Sequence, residues 1–406
     1  MKLLFLVSSL PLTKIGGTEI ITLKICERLF RHSGHEIFLY TIPQKEEEKS
    51  EECLFKLAEK YDLHTFPLKN IIFSEKVNSD SPFSYTLSNL SFALNLKKVV
   101  RNLKPNVVIS MKVQPPDVFC GFLTSLSKKE KLPYLFMVRG FTDLLNAPFL
   151  ESYAKSLPIS ERIKNRIFYS YLLPKYINGA AEVIVQTRSQ KEYVLKRYKR
   201  VAHLLFNPVD VETIQRTVKK EEKGENEFRL VYVGSMIPRK NLETLLKGVH
   251  LLVREKKLKK LVLFLVGGGR GEEKVKNQVE KLDLKNWVVF KGPLPPAHLW
   301  SFLARCDVFV FPSLSEGFPN VLLEAMAVGL PVVSSDFAGV EDVIRSQKNG
   351  LIFPKNDHRA LTEKIMFLYE NEKYRKEIGR YNREFVKEFS WEKFIQSFEK
   401  ILSGIK

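Results

Sequence analysis

"DVFVFPSLSEGFPNVLLEAMAVGLPVVSS" runs from Asp307 to Ser335 and falls into three pieces. "DVFVF" (307–311) is a continuous apolar, β-branched and aromatic run, as is "PVVSS" (331–335) at the far end. Between them "NVLLEAMAVG" (320–329) is built of good helix formers and stops at Gly329. A strand, a loop, a helix and a second strand with no polar alternation imply a parallel sheet covered on both faces.

The same unit repeats outward. Upstream of residue 218 the strand candidates are "LLFLV" (3–7), "EIFLYT" (36–41), "NVVISM" (106–111), "YLFMV" (134–138), "EVIVQ" (182–186) and "HLLF" (203–206), with helical patterns at 19–32 and 92–103. "VKKEEKGENEFR" (218–229) has almost nothing to bury and reads as a linker. The alternation then restarts with "LVYVG" (230–234), "LVLFLVGGG" (261–269), "WVVF" (287–290), 307–311, 331–335 and "GLIF" (350–353). The expected fold is α/β: two Rossmann-like parallel-sheet domains facing each other across a cleft, with ligands at the carboxyl ends of the strands. The boundaries expected are 1–217 for the first domain, 218–228 for the linker, 229–380 for the second domain, and 381–406 for an amphipathic C-terminal helix crossing back, interrupted near "FSW" (389–391).

A chain of 406 residues suits two such domains. Its 44% hydrophobic and 27% charged residues are ordinary for a globular protein, whereas 65 Lys+Arg against 46 Asp+Glu give a net charge of +19. That excess suits an anionic partner, or is simply solvated. Cys26, Cys53, Cys120 and Cys306 are scattered singly, which argues against zinc and against a disulfide framework and fits a reducing cytosol. "MKLLFLVSSLPL" (1–12) reads as a strand rather than a leader, and no apolar run reaches the roughly 18 residues of a membrane span.

Two acids mark the opening stretch. Glu316 sits in the loop at a strand's carboxyl end, and Glu324 about one turn into the helix. A helix start offers unpaired amides and a partial positive charge to an anion such as a diphosphate. Pro319 cannot donate, so the amides on offer are those of Gly317, Phe318, Asn320 and Val321. Carboxylates beside a bound diphosphate need hydroxyl partners, so the pair describes a nucleotide-sugar pocket; singly, each acid reads as a solvated residue. The glycines of "LVLFLVGGGRGEE" (261–273) are not spaced as GxGxxG and read as a tight turn, and no GxxxxGK[ST] is present.

With these motifs in view, the chain resembles the retaining glycosyltransferases of family 4, which have the GT-B fold. Glu316 and Glu324 match the family's E-x7-E, and "EAMAVGLPVVSSDFAGVEDVI" (324–344) follows its pattern. "LVYVGSMIPRKNLETLLKGV" (230–249) matches the strand, the glycine at Gly234 and a phosphate-contacting lysine at Lys240. "GGTE" (16–19) matches an N-terminal glycine turn approaching donor and acceptor through Gly16 and Gly17, and "AAEVIVQT" (180–187) and "FNPVD" (206–210) match segments closing the first domain.

The resemblance implies that Glu316 binds the donor sugar's hydroxyls, Glu324 the ribose hydroxyls, and Lys240 the leaving diphosphate. It implies a UDP- or GDP-sugar donor, retention of configuration, no cofactor and no bound metal, and a glycan or glycolipid acceptor. Ser235 stands where relatives often carry arginine, and Arg239 is the candidate replacement. Arg139 stands in "VRGFTD" (138–143), where many relatives have a histidine; it either contacts donor or pairs with Asp143, and it cannot act as a base. "ISERIKNRIFYSYLLPKYI" (159–177) interleaves Arg162, Lys164, Arg166 and Lys175 with tyrosines, which suits an anionic membrane surface or a packed helix with a solvated face. The place expected is cytoplasmic, peripheral on the membrane. The rival is a non-catalytic basic nucleotide- or nucleic-acid-binding protein, for which no zinc-finger, RNP or helix-turn-helix pattern is present.

Overall fold

The computed structural model describes residues 1–7, 17–41, 67–73, 95–111, 118–138, 159, 166, 168–218 and 227–405. By contact the chain divides into one unit of Met1–Phe206 with Phe394–Lys406 and a second of Asn207–Lys393.

In the first unit the described elements are β1 (Lys2–Val7), α1 (Gly17–Ser33), β2 (Glu36–Thr41), β3 (Ile71–Phe73), α2 (95–103), β4 (Val107–Ser110), α3 (Val118–Glu130), β5 (Tyr134–Val138), α4 (Leu173–Gly179), β6 (Glu182–Val185), α5 (Arg188–Tyr198) and β7 (His203–Leu204). The strands form one sheet in the order β3-β2-β1-β4-β5-β6-β7, every pairing parallel. Leu3 through Val7 are all buried, as a sheet covered on both faces requires. Leu4, Val108, Phe136, Tyr176 and Val183 share one core, in which Tyr134 and Tyr176 stack at 5.1 Å.

The second unit contains α6 (Val211–Thr217), β8 (Phe228–Val233), α7 (Leu242–Arg254), β9 (Leu261–Val266), α8 (Glu272–Lys281), β10 (Val288–Gly292), α9 (Pro296–Leu303), β11 (Val308–Phe311), α10 (Asn320–Ala327), β12 (Val332–Ser335), β13 (Gly350–Phe353), α11 (His358–Glu370) and α12 (Glu372–Phe385). Its sheet runs β10-β9-β8-β11-β12-β13, again wholly parallel. From β8 the chain winds outward through β9 and β10, then returns to lay β11 on the other side. The crevice between β8 and β11 is therefore the topological switch point, where such sheets bind ligands at their carboxyl ends.

Two segments differ from expectation. Phe228, assigned to the linker by the charges around it, is buried and opens β8, because its ring packs on Tyr369 at 5.0 Å and lies 5.3 Å from the Arg375 guanidinium. The C-terminal tail, read as interrupted near 389–391, is broken there. α12 ends at Phe385, a 3₁₀ turn covers Val386–Phe389, and α13 (Trp391–Ser403) follows a break at Ser390, where the backbone is extended (φ −71°, ψ 156°). Residues 207–217, placed with the first domain from sequence, group with the second, since α6 packs on α9 and α10. Among the described residues no helix is long and apolar enough to cross a membrane.

Candidate functional site

The carboxyl end of β8 leads into Gly234, Ser235 and a 3₁₀ turn, Pro238–Lys240, whose proline presets the backbone. A Cβ on Gly234 would stand 2.7 Å from the Tyr232 hydroxyl, so any larger residue there would have to displace that ring. Tyr232 donates that hydroxyl to the Ser235 carbonyl at 2.9 Å. Burial, reinforced by Glu316 and opposed by Arg239, pushes the Tyr232 phenol far above its ordinary range, so it stays a neutral donor. The glycine turn after β9 serves the same close approach: a Cβ on Gly267 would lie 2.2 Å from the Gly234 carbonyl, and one on Gly271 2.4 Å from the Met236 carbonyl. Met236 donates to Gly268 at 2.8 Å and Gly271 returns a bond to Met236 at 2.8 Å. The triple glycine, read from sequence as a tight turn, lets two loops touch.

Across the switch point, the loop after β11 is stitched to the 238–240 turn. Leu314 N–H donates to the Arg239 carbonyl at 2.9 Å, and the Ser313 hydroxyl reaches the same oxygen at 3.3 Å. This brings together three of the side chains singled out in the sequence. Lys240 Nζ lies 2.5 Å from Glu316 Oε1, Arg239 Nη1 lies 3.0 Å from Glu316 Oε2, and Arg239 also donates to the Ser315 carbonyl. Ser313 Oγ donates to Glu316 Oε1. The Glu316 side chain is 9% exposed and that of Lys240 12%. The Lys240 ammonium also stands 5.1 Å from the Phe311 ring.

Burial alone would raise the Glu316 carboxyl, but Lys240 and Arg239, with hydrogen bonds from Lys240 and Ser313, outweigh it and hold the group below the usual carboxylate range. Burial draws the Lys240 ammonium down from its ordinary value, with Glu316 pulling the other way. Two cations thus meet one buried carboxylate, the Arg239 side chain 31% exposed, leaving a surplus positive charge. Glu316 accepts hydrogen bonds from Lys240 and Ser313 and faces the Arg239 guanidinium, so acceptor positions remain on its carboxylate.

The helix α10 starts beyond Pro319 without a side-chain cap. The Asn320 amide donates to the Phe318 carbonyl at 3.1 Å, so it drops out of the set expected to receive an anion. The Asn320 side chain instead accepts a 2.8 Å bond from Asn207. Phe318 is buried against Phe389 at 6.1 Å; Gly317, Val321 and Glu324 are half-buried, Glu324 one turn into the helix. Gly17 opens α1 in the first unit. Gly16, Arg139, Arg162 and Lys164 lie outside the described residues; Arg166 and Lys175 lie within them, Lys175 bonded to Tyr171 at 2.5 Å. Sequence reasoning missed Ser313, Tyr232 and Asn207, whose partners are 3, 3 and 113 positions away. A serine three residues before a buried acid was the one available signal.

Residues 213–385 match the family described as glycosyl transferases group 1. The second unit carries a group 1 glycosyl transferase domain. An uncharacterized glycosyltransferase of Methanocaldococcus jannaschii is 27% identical over 77% of this chain and 80% of its own length. O-antigen chain mannosyltransferase B of Escherichia coli is 30% identical over 40% of this chain and 42% of its own. Anabaena HepE, solved with UDP, superposes with a TM-score of 0.72 at 17% identity, covering 99% of this chain and 100% of HepE. This likeness, with the two parallel sheets, shows the GT-B fold.

Proposed function

We propose that the chain is a retaining glycosyltransferase that moves a sugar from a nucleoside diphosphate-sugar to a glycan or lipid-linked acceptor in polysaccharide assembly. The observation that carries this is the Lys240–Glu316–Arg239 cluster at the switch point, built on a buried Glu316, with Glu324 eight residues beyond it. A surplus positive charge in a low-dielectric place is worth most where negative charge develops, which in this reaction is the diphosphate oxygen as the glycosidic bond breaks. In this reading Lys240 and Arg239 face the diphosphate, Glu316 orients the sugar through a remaining acceptor position, and Glu324 holds the ribose. UDP in HepE and O-antigen synthesis by the Escherichia coli relative support the donor and acceptor classes.

The reaction is proposed to need no metal or cofactor, and the enzyme to work from the cytoplasmic side, attached peripherally to anionic lipid through the basic stretch at 159–177. A panel of UDP- and GDP-sugars in a donor-hydrolysis assay tests the reading. One or more donors should be turned over, with activity unchanged by EDTA. Melting should shift with UDP or GDP and not with oligonucleotides; the reverse pattern would favour the nucleic-acid-binding alternative.

A further inference from the structure

The helix bearing Glu324 is only two turns long, and a helix so short has little stability of its own. It buries Leu322, Leu323, Ala325, Met326 and Ala327 but has no side-chain cap at its start, so beyond that buried face its position depends on what grips its ends. The C-terminal end is gripped by α12. Gly329, which follows the helix at φ +86°, lies so close to α12 that a Cβ on Gly379 would stand 2.3 Å from the Gly329 carbonyl. Arg383 donates to the Val328 carbonyl at 3.0 Å, and the fully buried Asn382 donates to the Leu330 carbonyl at 2.7 Å. Arg383 fills the space above Gly329, where a Cβ would lie 2.6 Å from its guanidinium carbon.

Val328 itself closes the last helical turn by donating to the Glu324 carbonyl at 3.2 Å. One residue thus links the Arg383 guanidinium to the backbone of Glu324. The other end is held by the same C-terminal segment: Phe389, 5.5 Å from Phe385 of α12, packs on Phe318, and its carbonyl accepts the Val209 amide at 2.9 Å.

We propose that Asn382 and Arg383 are positioning residues for the donor site, clamping the end of α10 so that Glu324 keeps a fixed height relative to Glu316. This rests on the donor-site reading above, but the clamp has its own readout. Hydrogen exchange should be measured by mass spectrometry on peptides covering 320–330 and, as reference, 228–233, in the wild type, Arg383→Ala and Arg383→Lys. Arg383→Ala should exchange about tenfold faster in 320–330 alone. UDP or GDP affinity, by titration calorimetry, should fall about tenfold while kcat at saturating donor stays within twofold. Arg383→Lys, which keeps one donor, should recover most of both, and replaces the alanine variant should that one fail to fold. Unchanged exchange in 320–330 overturns the clamp. Faster exchange with undiminished nucleotide affinity overturns its positioning role. A wild type that binds neither nucleotide removes the donor reading instead, and exchange alone then decides the clamp.

Discussion

The strand β11 has a buried acid near each end, and the two are built for different things. At its amino end Asp307 accepts the Arg229 amide at 2.8 Å and faces Arg375 at 3.7 Å, a guanidinium also engaged by the Leu368 carbonyl at 2.6 Å. The Asp307–Arg375 pair fastens α12 to the sheet. At its carboxyl end Glu316 meets two cations, and the two loops holding them are sewn together by backbone bonds. Burial alone does not separate the two acids, since both side chains are below a tenth exposed. Position at the switch point does: Asp307 ties α12 to the sheet away from it, whereas at the carboxyl end two cations on one carboxylate leave a surplus positive charge.

The largest expected difference between the two ends is in turnover. Lys240→Ala should lower kcat on the order of 100-fold, about 3 kcal/mol of transition-state stabilisation, with a smaller change in KM. Arg375→Ala should leave kcat within twofold. A Lys240→Ala enzyme with altered KM and unchanged kcat would reduce the lysine to a binding group, and the contrast between the ends would be lost.

Within the carboxyl end, Glu316 and Glu324 should separate in turn. Glu324→Ala should weaken UDP or GDP binding by about 1–3 kcal/mol, the range for lost hydrogen bonds to a charged group. Glu316→Gln should slow transfer and leave free-nucleotide affinity nearly intact, because its assigned partner is the sugar. Calorimetry with the nucleotide alone, beside transfer rates, reads both, and equal affinity losses would undo the division of roles.

How much of this was visible in the sequence follows the same divide. The strands "EIFLYT", "YLFMV" and "GLIF" coincide with β2, β5 and β13, because a strand buried on both faces leaves an uninterrupted apolar run. The three-residue β3 was missed, being too short to show a period. Glu316, Arg239 and Lys240 were legible as candidates, but their convergence was not: Glu316 lies 76 residues from Lys240, and only the crossover topology brings them together. The Asp307–Arg375 pair and the Arg383 clamp left no local trace either. A side chain whose partner lies on another element carries its meaning in the fold rather than in spacing.

A moderate effect is expected at the amino end, in stability. Removing Arg375 leaves Asp307 buried with the Arg229 amide and frees two carbonyls, Leu368 and Tyr369, to find water. A loss of about 1–2 kcal/mol is expected, lowering the melting temperature by roughly 2–8 °C in a unit of this size. Nucleotide affinity should not change; a loss of affinity equal to that of Glu324→Ala would mean that the two ends of β11 are coupled.

The smallest effect is a pH dependence confined to the carboxyl end. Glu316 is held below its ordinary pKa of 4.5 in the folded protein, so the folded state binds fewer protons there than the unfolded chain. Its stabilising contribution is therefore fully present above about pH 4.5. It is lost as pH falls through the lower folded value. Glu316→Gln lacks the contribution at every pH, and at neutral pH should melt a few degrees below the wild type, for a difference of about 1–2 kcal/mol. Acidification below pH 4.5 should bring the two melting curves together, the wild type falling faster than the variant. Arg375→Ala has the Glu316 cluster intact and should retain this acid sensitivity. If the gap between wild type and Glu316→Gln stays constant down to about pH 3, the cations do not hold Glu316 in its charged form, and the two ends of β11 are more alike than their geometry indicates.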